Sequence, residues 1–199
     1  MDKPPFRVIV FAREFNREEA VSDFCYFLSG KMKSLGVATD LVCYSPEYSE
    51  TEFPENALSV FRVPFALNAD TFFNWALLMN AELKRKGREL AEKREYLMVI
   101  GNDWTGYPAA SSISSLFNIP LVTVFSSTEQ NRGFSYENSR PISDIEWEAS
   151  DSSRRVVALN NDCRNSLVYD LKVPQEKILT IEGLLEYVRL LEEVLVEKK

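Results

Sequence analysis

Short, continuous apolar runs alternate along this chain with longer stretches in which apolar residues recur at helical spacing. Residues 96–100 (YLMVI) and 121–125 (LVTVF) show no alternation of polar and apolar positions. Such runs are typical of strands that are covered on both faces in a parallel sheet. The pattern predicts five further strands, at residues 7–12, 40–44, 58–63, 155–159 and 178–181.

The stretches between these runs have helical periodicity. Between residues 70 and 93, apolar side chains that begin with Phe72, Phe73 and Leu77 recur every three or four positions, and basic residues gather toward the end. This arrangement predicts the longest helix of the chain. Four more helices are predicted, one capped by Asn16 and Glu19 and ending at Gly36, and the others at residues 109–117, 161–169 and 184–199.

Strand and helix therefore alternate repeatedly, which predicts a single α/β domain over residues 1–199. We expect a Rossmann-like open parallel sheet with helices on both faces. The polar segment 45–56, which carries Pro46 and Pro54, is predicted to be a surface loop. The C-terminal helix 184–199 has an apolar stripe that either covers the domain's own sheet, as such stripes usually do, or docks onto a partner or a second copy.

The composition excludes several classes of function. The 199 residues carry 23 Lys and Arg against 30 Asp and Glu, a net charge of -7, so no basic surface for nucleic acid is indicated. No segment approaches the ~20 apolar residues that span a bilayer, so no membrane partner is expected. The three cysteines, Cys25, Cys43 and Cys163, are odd in number and widely spaced, which favours reduced thiols in a cytoplasmic protein.

The chain contains no histidine. Catalytic triads, Cys-His pairs and His-ligated metal sites are therefore excluded, and no metal site is predicted. In parallel sheets of this kind, ligands bind beyond the carboxyl ends of the strands. Three polar turns follow predicted strands. The first, residues 13–17, lacks the glycines that a phosphate-binding GxGxxG turn requires, so no dinucleotide cofactor is expected.

The second turn is Gly101-Asn102-Asp103-Trp104-Thr105-Gly106, and the third is Ser126-Ser127-Thr128-Glu129 with Arg132 shortly after it. Each has a structural interpretation. In the second turn, Asn or Asp caps a helix while Trp packs beneath it. In the third, Glu129 and Arg132 form a local ion pair worth well under ~1 kcal/mol if exposed. The functional interpretation is a site for sugar hydroxyls, to which Ser, Thr, Glu and Arg form directional hydrogen bonds.

Four segments in chain order carry a resemblance to a known family. They are Asn102-Asp103-Trp104, the turn from Ser126 to Arg132, Ile145-Glu146-Trp147-Glu148 before residues 153–160, and Val173-Pro174-Gln175-Glu176-Lys177-Ile178. In this order they resemble the N-terminal acceptor domain of retaining GT-B glycosyltransferases of the glycogen and starch synthase type, one half of a GT-B fold. The resemblance covers residues 96–183, with weaker support from residues 73–80.

The resemblance implies hexosyl transfer from a nucleotide sugar to a glycan acceptor. The implied substrate-binding residues are Asn102, Asp103, Trp104, Thr105, Ser126, Ser127, Thr128, Glu129 and Arg132. No catalytic residue is assigned, because Asn102 and Ser126 stand where the family usually has histidine. The donor-binding C-terminal domain of the family is also missing, so we expect that a separate subunit would have to supply it.

Two alternatives remain open at the level of sequence. The chain could be a degenerate, non-catalytic glycan-binding or regulatory module of the same fold, as the replaced histidines and the altered first turn suggest. It could also be an unrelated Rossmann-like enzyme that acts on a small metabolite, with Glu14, Asp103 or Glu129 as general base.

Overall fold

The computed structural model of the protein describes residues 6–15, 20–134 and 137–196. Its centre is one eight-stranded sheet. The strands are β1 (Phe6–Ala12), β2 (Val37–Tyr44), β3 (Ser49–Phe53), β4 (Leu58–Val63), β5 (Met98–Asn102), β6 (Leu121–Phe125), β7 (Arg155–Ala158) and β8 (Ile178–Leu179). All seven strands predicted from the sequence are present in this sheet, with shifts of up to three residues at their ends.

The order of the strands across the sheet is β3-β4-β2-β1-β5-β6-β7-β8. All pairs are parallel except β3 with β4, which is antiparallel. After β1, the strands β2, β3 and β4 are added on one side of β1, with β3 at the edge of the sheet. The chain then crosses over, and β5 to β8 are added in order on the other side of β1. The strand order therefore reverses between β1 and β5, where open α/β sheets characteristically bind their ligands.

The described residues form six α-helices: α1 (Ala20–Ser34), α2 (Phe72–Ala91), α3 (Asp103–Phe117), α4 (Ser139–Ser152), α5 (Asn161–Tyr169) and α6 (Ile181–Val196), of which α6 follows the last strand. They cover both faces of the sheet. Ile9 and Phe11 of β1 point to a core formed with α2 to α5, and the alternating Val8 and Val10 point to a second core formed with α1 and α6. The predicted α/β architecture with two covered faces is thus present.

Helix α6 packs against the second face. Leu184 and Val188 are completely buried there, so the apolar stripe of this helix covers the protein's own sheet. The helix starts three residues before the predicted position, and the preceding strand ends at Leu179 rather than Ile181. The side chain of Thr180 causes this early start, because its hydroxyl accepts a hydrogen bond from the backbone N–H of Gly183 and caps the helix.

The segment 45–56 was predicted to be a surface loop, and this prediction is wrong for most of its residues. Ser49–Phe53 forms the antiparallel edge strand β3, and Pro54–Asn56 forms a 3₁₀ turn that leads into β4. Acidic residues disfavour strands, which is why the sequence suggested a loop. In the fold, Glu50 is compensated by the buried ammonium of Lys86 on α2, at 3.1 Å. Tertiary contacts therefore decide the structure of this segment.

Helix α3 follows β5 directly at Asp103, six residues earlier than predicted. The predicted cap formed by Asn16 and Glu19 falls outside the described residues. The three cysteines, all within the described part, are buried free thiols. Among the described helices, none combines the length and the apolar character needed to cross a bilayer.

Candidate functional site

Three turns meet where the strand order reverses, at the carboxyl edge of the sheet. Arg13 and Glu14 follow β1, Asn102 to Thr105 join β5 to α3, and Ser126 follows β6. Together with Phe72 at the start of α2 and Arg132 from the third turn, they line a cleft of ≈ 280 Å³. The cleft therefore lies at the position that the strand order alone marks as the expected binding site.

Asp103 links two of these turns. Its Oδ1 accepts a hydrogen bond from the backbone N–H of Ser126 at 2.9 Å, and its Oδ2 accepts one from the Ser126 hydroxyl, also at 2.9 Å. The residue has a φ of 52°, in the left-handed region, which is uncommon for a residue other than glycine. This backbone conformation directs the carboxylate sideways across the sheet edge, so it fixes Ser126 rather than capping its own helix.

The environment also affects the charge of Asp103. Burial raises the pKa of this carboxyl group above its ordinary value, while the two hydrogen bonds from Ser126 and the charges of Arg132 and Arg13 act in the opposite direction. A partly desolvated carboxylate at the base of a cleft is a common feature of binding and catalytic sites. Asn102, next to it, is buried and lies at the junction of β5 and α3.

Aromatic rings form one wall of the cleft. Trp104 is nearly buried and stacks on Phe73 with the ring centroids 5.8 Å apart and the planes at 26°. The ring of Phe72 meets Trp104 edge-on and also stacks on Trp75, with centroids 5.9 Å apart. Half of the Phe72 surface is exposed, so this ring is the accessible part of the wall. The predicted packing of Trp104 beneath the turn is therefore observed.

The third turn is held by a buried ionic cluster, which we define as Glu129, Arg132, Ser139 and Glu146. Arg132 Nη2 donates to Glu129 at 2.7 Å and to Glu146 at 2.8 Å, and the Ser139 hydroxyl donates to Glu129 at 2.6 Å. The backbone N–H of Glu129 donates to both oxygens of Glu146, at 3.0 and 2.8 Å. The predicted ion pair of Glu129 and Arg132 is therefore present, but it is not an exposed one, because helix α4 brings a second carboxylate and covers both acids.

Burial has a marked effect on the pKa of Glu146. Desolvation raises the pKa of this carboxyl group from 4.5 to about 7, against the opposing effects of the Glu129 N–H and Arg132. With Glu146 protonated the cluster is neutral, and with Glu146 ionised it carries one uncompensated negative charge. Glu146 belongs to Ile145-Glu146-Trp147-Glu148, one of the four segments that carry the family resemblance. Nothing in the sequence pattern predicted that its side chain would lie beneath the third turn.

The predicted site residues divide into two groups. Those that line the cleft are Asn102, Asp103, Trp104, Thr105, Ser126 and Arg132. Thr128 and Glu129 are instead buried beneath it, with Thr128 hydrogen bonded to Ser166 at 2.6 Å. Ser127 lines a neighbouring polar depression of ≈ 550 Å³ between the third turn and α5. The fold thus brings the second and third turns together, as the sequence predicted.

Three lining residues were not among the predicted substrate-binding residues: Arg13, Glu14 and Phe72. Glu14 was considered only as a candidate general base of an unrelated enzyme. Arg13 and Glu14 form an ion pair and border both the cleft and a second cavity of ≈ 470 Å³, and Phe72 stands between the two cavities. The first turn was set aside because it lacks glycines, although its position after β1 was the available signal. In the described part of the chain, no group of three or more carboxylates or thiols is arranged to hold a metal ion.

Comparison with solved structures identifies the fold. Sucrose-phosphate synthase from Thermosynechococcus elongatus superimposes with a TM-score of 0.66 at 9% sequence identity, over 88% of this chain and 47% of that one. A shorter structure of the same synthase aligns over 96% of this chain and 99% of its own, with a TM-score of 0.63 at 12% identity. HepE from Anabaena, in complex with UDP and glucose, gives a TM-score of 0.56 at 12% identity over 88% and 44% of the two chains.

These neighbours are GT-B glycosyltransferases, and the protein has the fold of one Rossmann-like half of that architecture. The chain spans about half the length of the synthase, of HepE and of the Arabidopsis thaliana protein UGT89C1, which was solved with UDP. Identities near one tenth establish the fold alone. No protein-family model matches the sequence, and no curated protein matches it either.

Proposed function

We propose that this chain is the acceptor-side half of a glycosyltransferase of the glycogen synthase type. It would hold the glycan that receives a hexosyl group from a nucleotide sugar. The observation that carries the proposal is the cleft at the reversal of strand order, where residues from three turns converge in the fold of a GT-B half. A cytoplasmic location, consistent with three buried free thiols, belongs to the same proposal.

Some residues of the cleft would contact the sugar, and others would hold those residues in position. Asn102, Thr105 and the Ser126 hydroxyl offer hydrogen-bonding groups to sugar hydroxyls, and Trp104 closes the wall behind them. Asp103 fixes Ser126, and the buried ionic cluster fixes Arg132 at the edge. Glu129 and Thr128 would then act as positioning residues, since both are buried and engaged with protein groups.

A donor half is required by the charges of the site. Transfer from a nucleotide sugar develops negative charge on the departing diphosphate, which must meet preorganised positive groups. The two cations among the described residues of the cleft are already engaged, Arg13 with Glu14 and Arg132 with Glu129 and Glu146. We therefore propose that the nucleotide sugar is held by a donor domain from a separate subunit or another segment, and that this half does not turn over alone.

A non-catalytic glycan-binding or regulatory module of the same fold is the second candidate. The observation that favours it is the side chain of Asn102, which takes a family histidine position and cannot transfer a proton at neutral pH. Such a module would keep the glycan cleft without transfer.

The experiment is glycan calorimetry beside a transfer assay. We expect the wild-type chain to bind maltotriose, and Asp103→Asn to weaken binding several-fold because Ser126 loses a charged hydrogen-bond acceptor. Asp144→Asn, a change of the same chemistry on the exposed face of α4, is the control and should leave binding unchanged.

The transfer assay uses UDP-glucose and ADP-glucose with glycogen as acceptor. The isolated chain should give no turnover. Turnover would contradict the need for a donor half, whereas failure of the wild type to bind any glycan would refute the acceptor role itself.

A further inference from the structure

The second cavity beside the cleft has the features of a sugar-ring subsite. It is lined by Arg13, Glu14, Tyr44, Asn68, Ala69, Asp70, Thr71, Phe72 and Trp75. Its ≈ 470 Å³ adjoins the ≈ 280 Å³ of the cleft, and the two spaces share Arg13, Glu14 and Phe72 as a common wall. A ligand that occupies the cleft therefore extends past Phe72 into this cavity without leaving the protein surface.

The aromatic lining forms a rigid surface, which we call the aromatic shelf and define as Tyr44, Phe72 and Trp75. The ring of Tyr44 meets Trp75 edge-on with centroids 4.9 Å apart, and Phe72 stacks on Trp75 with planes at 21°. The Arg13 guanidinium lies over Phe72 at 5.7 Å. Single exposed apolar residues are ordinary on protein surfaces. Phe72 differs because its half-exposed ring is fixed in orientation on three sides and borders both cavities.

Such a shelf suits a pyranose. The C–H groups on one face of a sugar ring carry partial positive charge and pack on the negative face of an aromatic ring, and the hydroxyls at the ring edge need polar partners. The cavity places Asn68, Thr71 and Asp70 around its rim. An apolar surface with a few convergent polar groups is the general composition of small-molecule sites.

The charges of the cavity discriminate between kinds of sugar. Among the described residues of the lining, Arg13 is paired with Glu14, and no further cation offsets the Asp70 carboxylate. The hydrogen bond from Asn74 lowers the pKa of Asp70, so this group is ionised at neutral pH. These described lining residues therefore carry a net negative charge, which opposes a phosphorylated sugar and tolerates a neutral one.

We propose that the aromatic shelf is an acceptor subsite that binds a ring of a neutral oligosaccharide next to the residue held in the cleft, and that it selects against sugar phosphates. This inference rests on the proposed acceptor function and narrows its substrate to unphosphorylated glycans of two or more sugar units.

The test is calorimetric titration with maltotriose of the wild type and three variants. Phe72→Ala should weaken binding by roughly tenfold, because it removes the stacking surface. Phe72→Trp restores an aromatic face and should bind within about twofold of the wild type. Phe27→Ala, which removes another exposed phenylalanine on α1, is the matched control and should bind like the wild type.

A second titration uses glucose 6-phosphate at the same ionic strength. Glucose 6-phosphate should bind more weakly than maltotriose. Asp70→Asn should reduce the difference between the affinities for the two sugars. Tighter binding of glucose 6-phosphate than of maltotriose would overturn the inference, and so would unchanged maltotriose affinity in Phe72→Ala. If Asp103→Asn weakens binding while Phe72→Ala does not, the acceptor function stands and the shelf is refuted. If the wild type binds no sugar, both proposals fail.

Discussion

At the scale of single residues, Glu146 shows how burial changes the chemistry of a side chain that looks ordinary in the sequence. Its carboxyl group is fully buried among Glu129, Arg132 and Ser139, and it accepts a hydrogen bond from the backbone N–H of Glu129. Desolvation disfavours the charged form, and a single guanidinium shared between two carboxylates does not compensate for it. A group that titrates near neutrality therefore lies directly beneath the third turn of the cleft.

The stability of the protein should depend on pH through this group. Because the folded pKa of about 7 lies above the ordinary 4.5, the folded state binds more protons between these pH values. The free energy of unfolding should therefore fall as pH rises from about 4.5 to 7, by up to about 3 kcal/mol from Glu146 alone. Glu146→Gln cannot ionise and should flatten this decline, as measured by urea unfolding between pH 5 and 8.

Other titrating groups are shared by both proteins, so the difference between the two pH profiles isolates Glu146. Asp144→Asn on the exposed side of the same helix is the control and should leave the profile of the wild type unchanged. A Glu146→Gln profile that runs parallel to the wild-type profile would show that Glu146 keeps an ordinary pKa.

At the scale of elements, the position of α3 against β1 sets the geometry of the cleft. A Cβ atom on Gly106 would lie 2.2 Å from the backbone oxygen of Phe11, so only glycine allows the first turns of α3 to approach β1 this closely. The same turns carry Asp103 and Trp104. The sequence predicted a helix at residues 109–117, but neither its start at Asp103 nor its contact with the backbone of β1.

We expect Gly106→Ala to destabilise the protein by about 1–3 kcal/mol, because backbone atoms cannot move aside for the added methyl group. It should also reduce maltotriose binding through displacement of Asp103. Gly30→Ala in α1 is the matched control, since its Cβ would meet only the Asn56 side chain at 3.6 Å. Alanine is favoured over glycine inside a helix, so this control should be neutral or slightly stabilising. Equal stability of the two variants in urea unfolding would refute the close contact.

At the scale of the whole molecule, one sheet joins two apolar cores. Successive residues of β1, β2, β5 and β6 point alternately to the core of α2 to α5 and to the core of α1 and α6. Loss of either layer exposes the same strands to water, so we propose that the two cores unfold as one cooperative unit. Trp75, Trp104 and Trp147, the three tryptophans of the chain, all belong to helices on the first face.

This arrangement allows a direct test of cooperativity. Leu184→Ala removes a fully buried side chain of α6 on the face opposite the tryptophans and should lower the free energy of unfolding by about 2–5 kcal/mol. Tryptophan fluorescence and far-UV circular dichroism should report the same shifted urea midpoint. A fluorescence transition that stays at the wild-type midpoint would show that the two layers unfold independently.

The sequence by itself determined the parts of this protein that depend on local pattern. Apolar patterning predicted seven of the eight strands. The two runs without polar alternation, at residues 96–100 and 121–125, also predicted that both faces of those strands are covered. The alternation with helices predicted the parallel sheet, and the rule that ligands bind at the carboxyl ends of strands directed attention to the turns at residues 101–106 and 126–132.

Tertiary structure alone decided the features that depend on residues distant in the chain. The ion pair of Lys86 with Glu50 compensates an acidic residue of the edge strand β3. The ion pair of Glu146 with Arg132 adds a second carboxylate to the third turn, which becomes part of a buried cluster. Phe72 became a wall of the cleft only because α2 begins beside the second turn. Local periodicity records which face of an element is buried, but it carries no information on which remote side chain will meet it there.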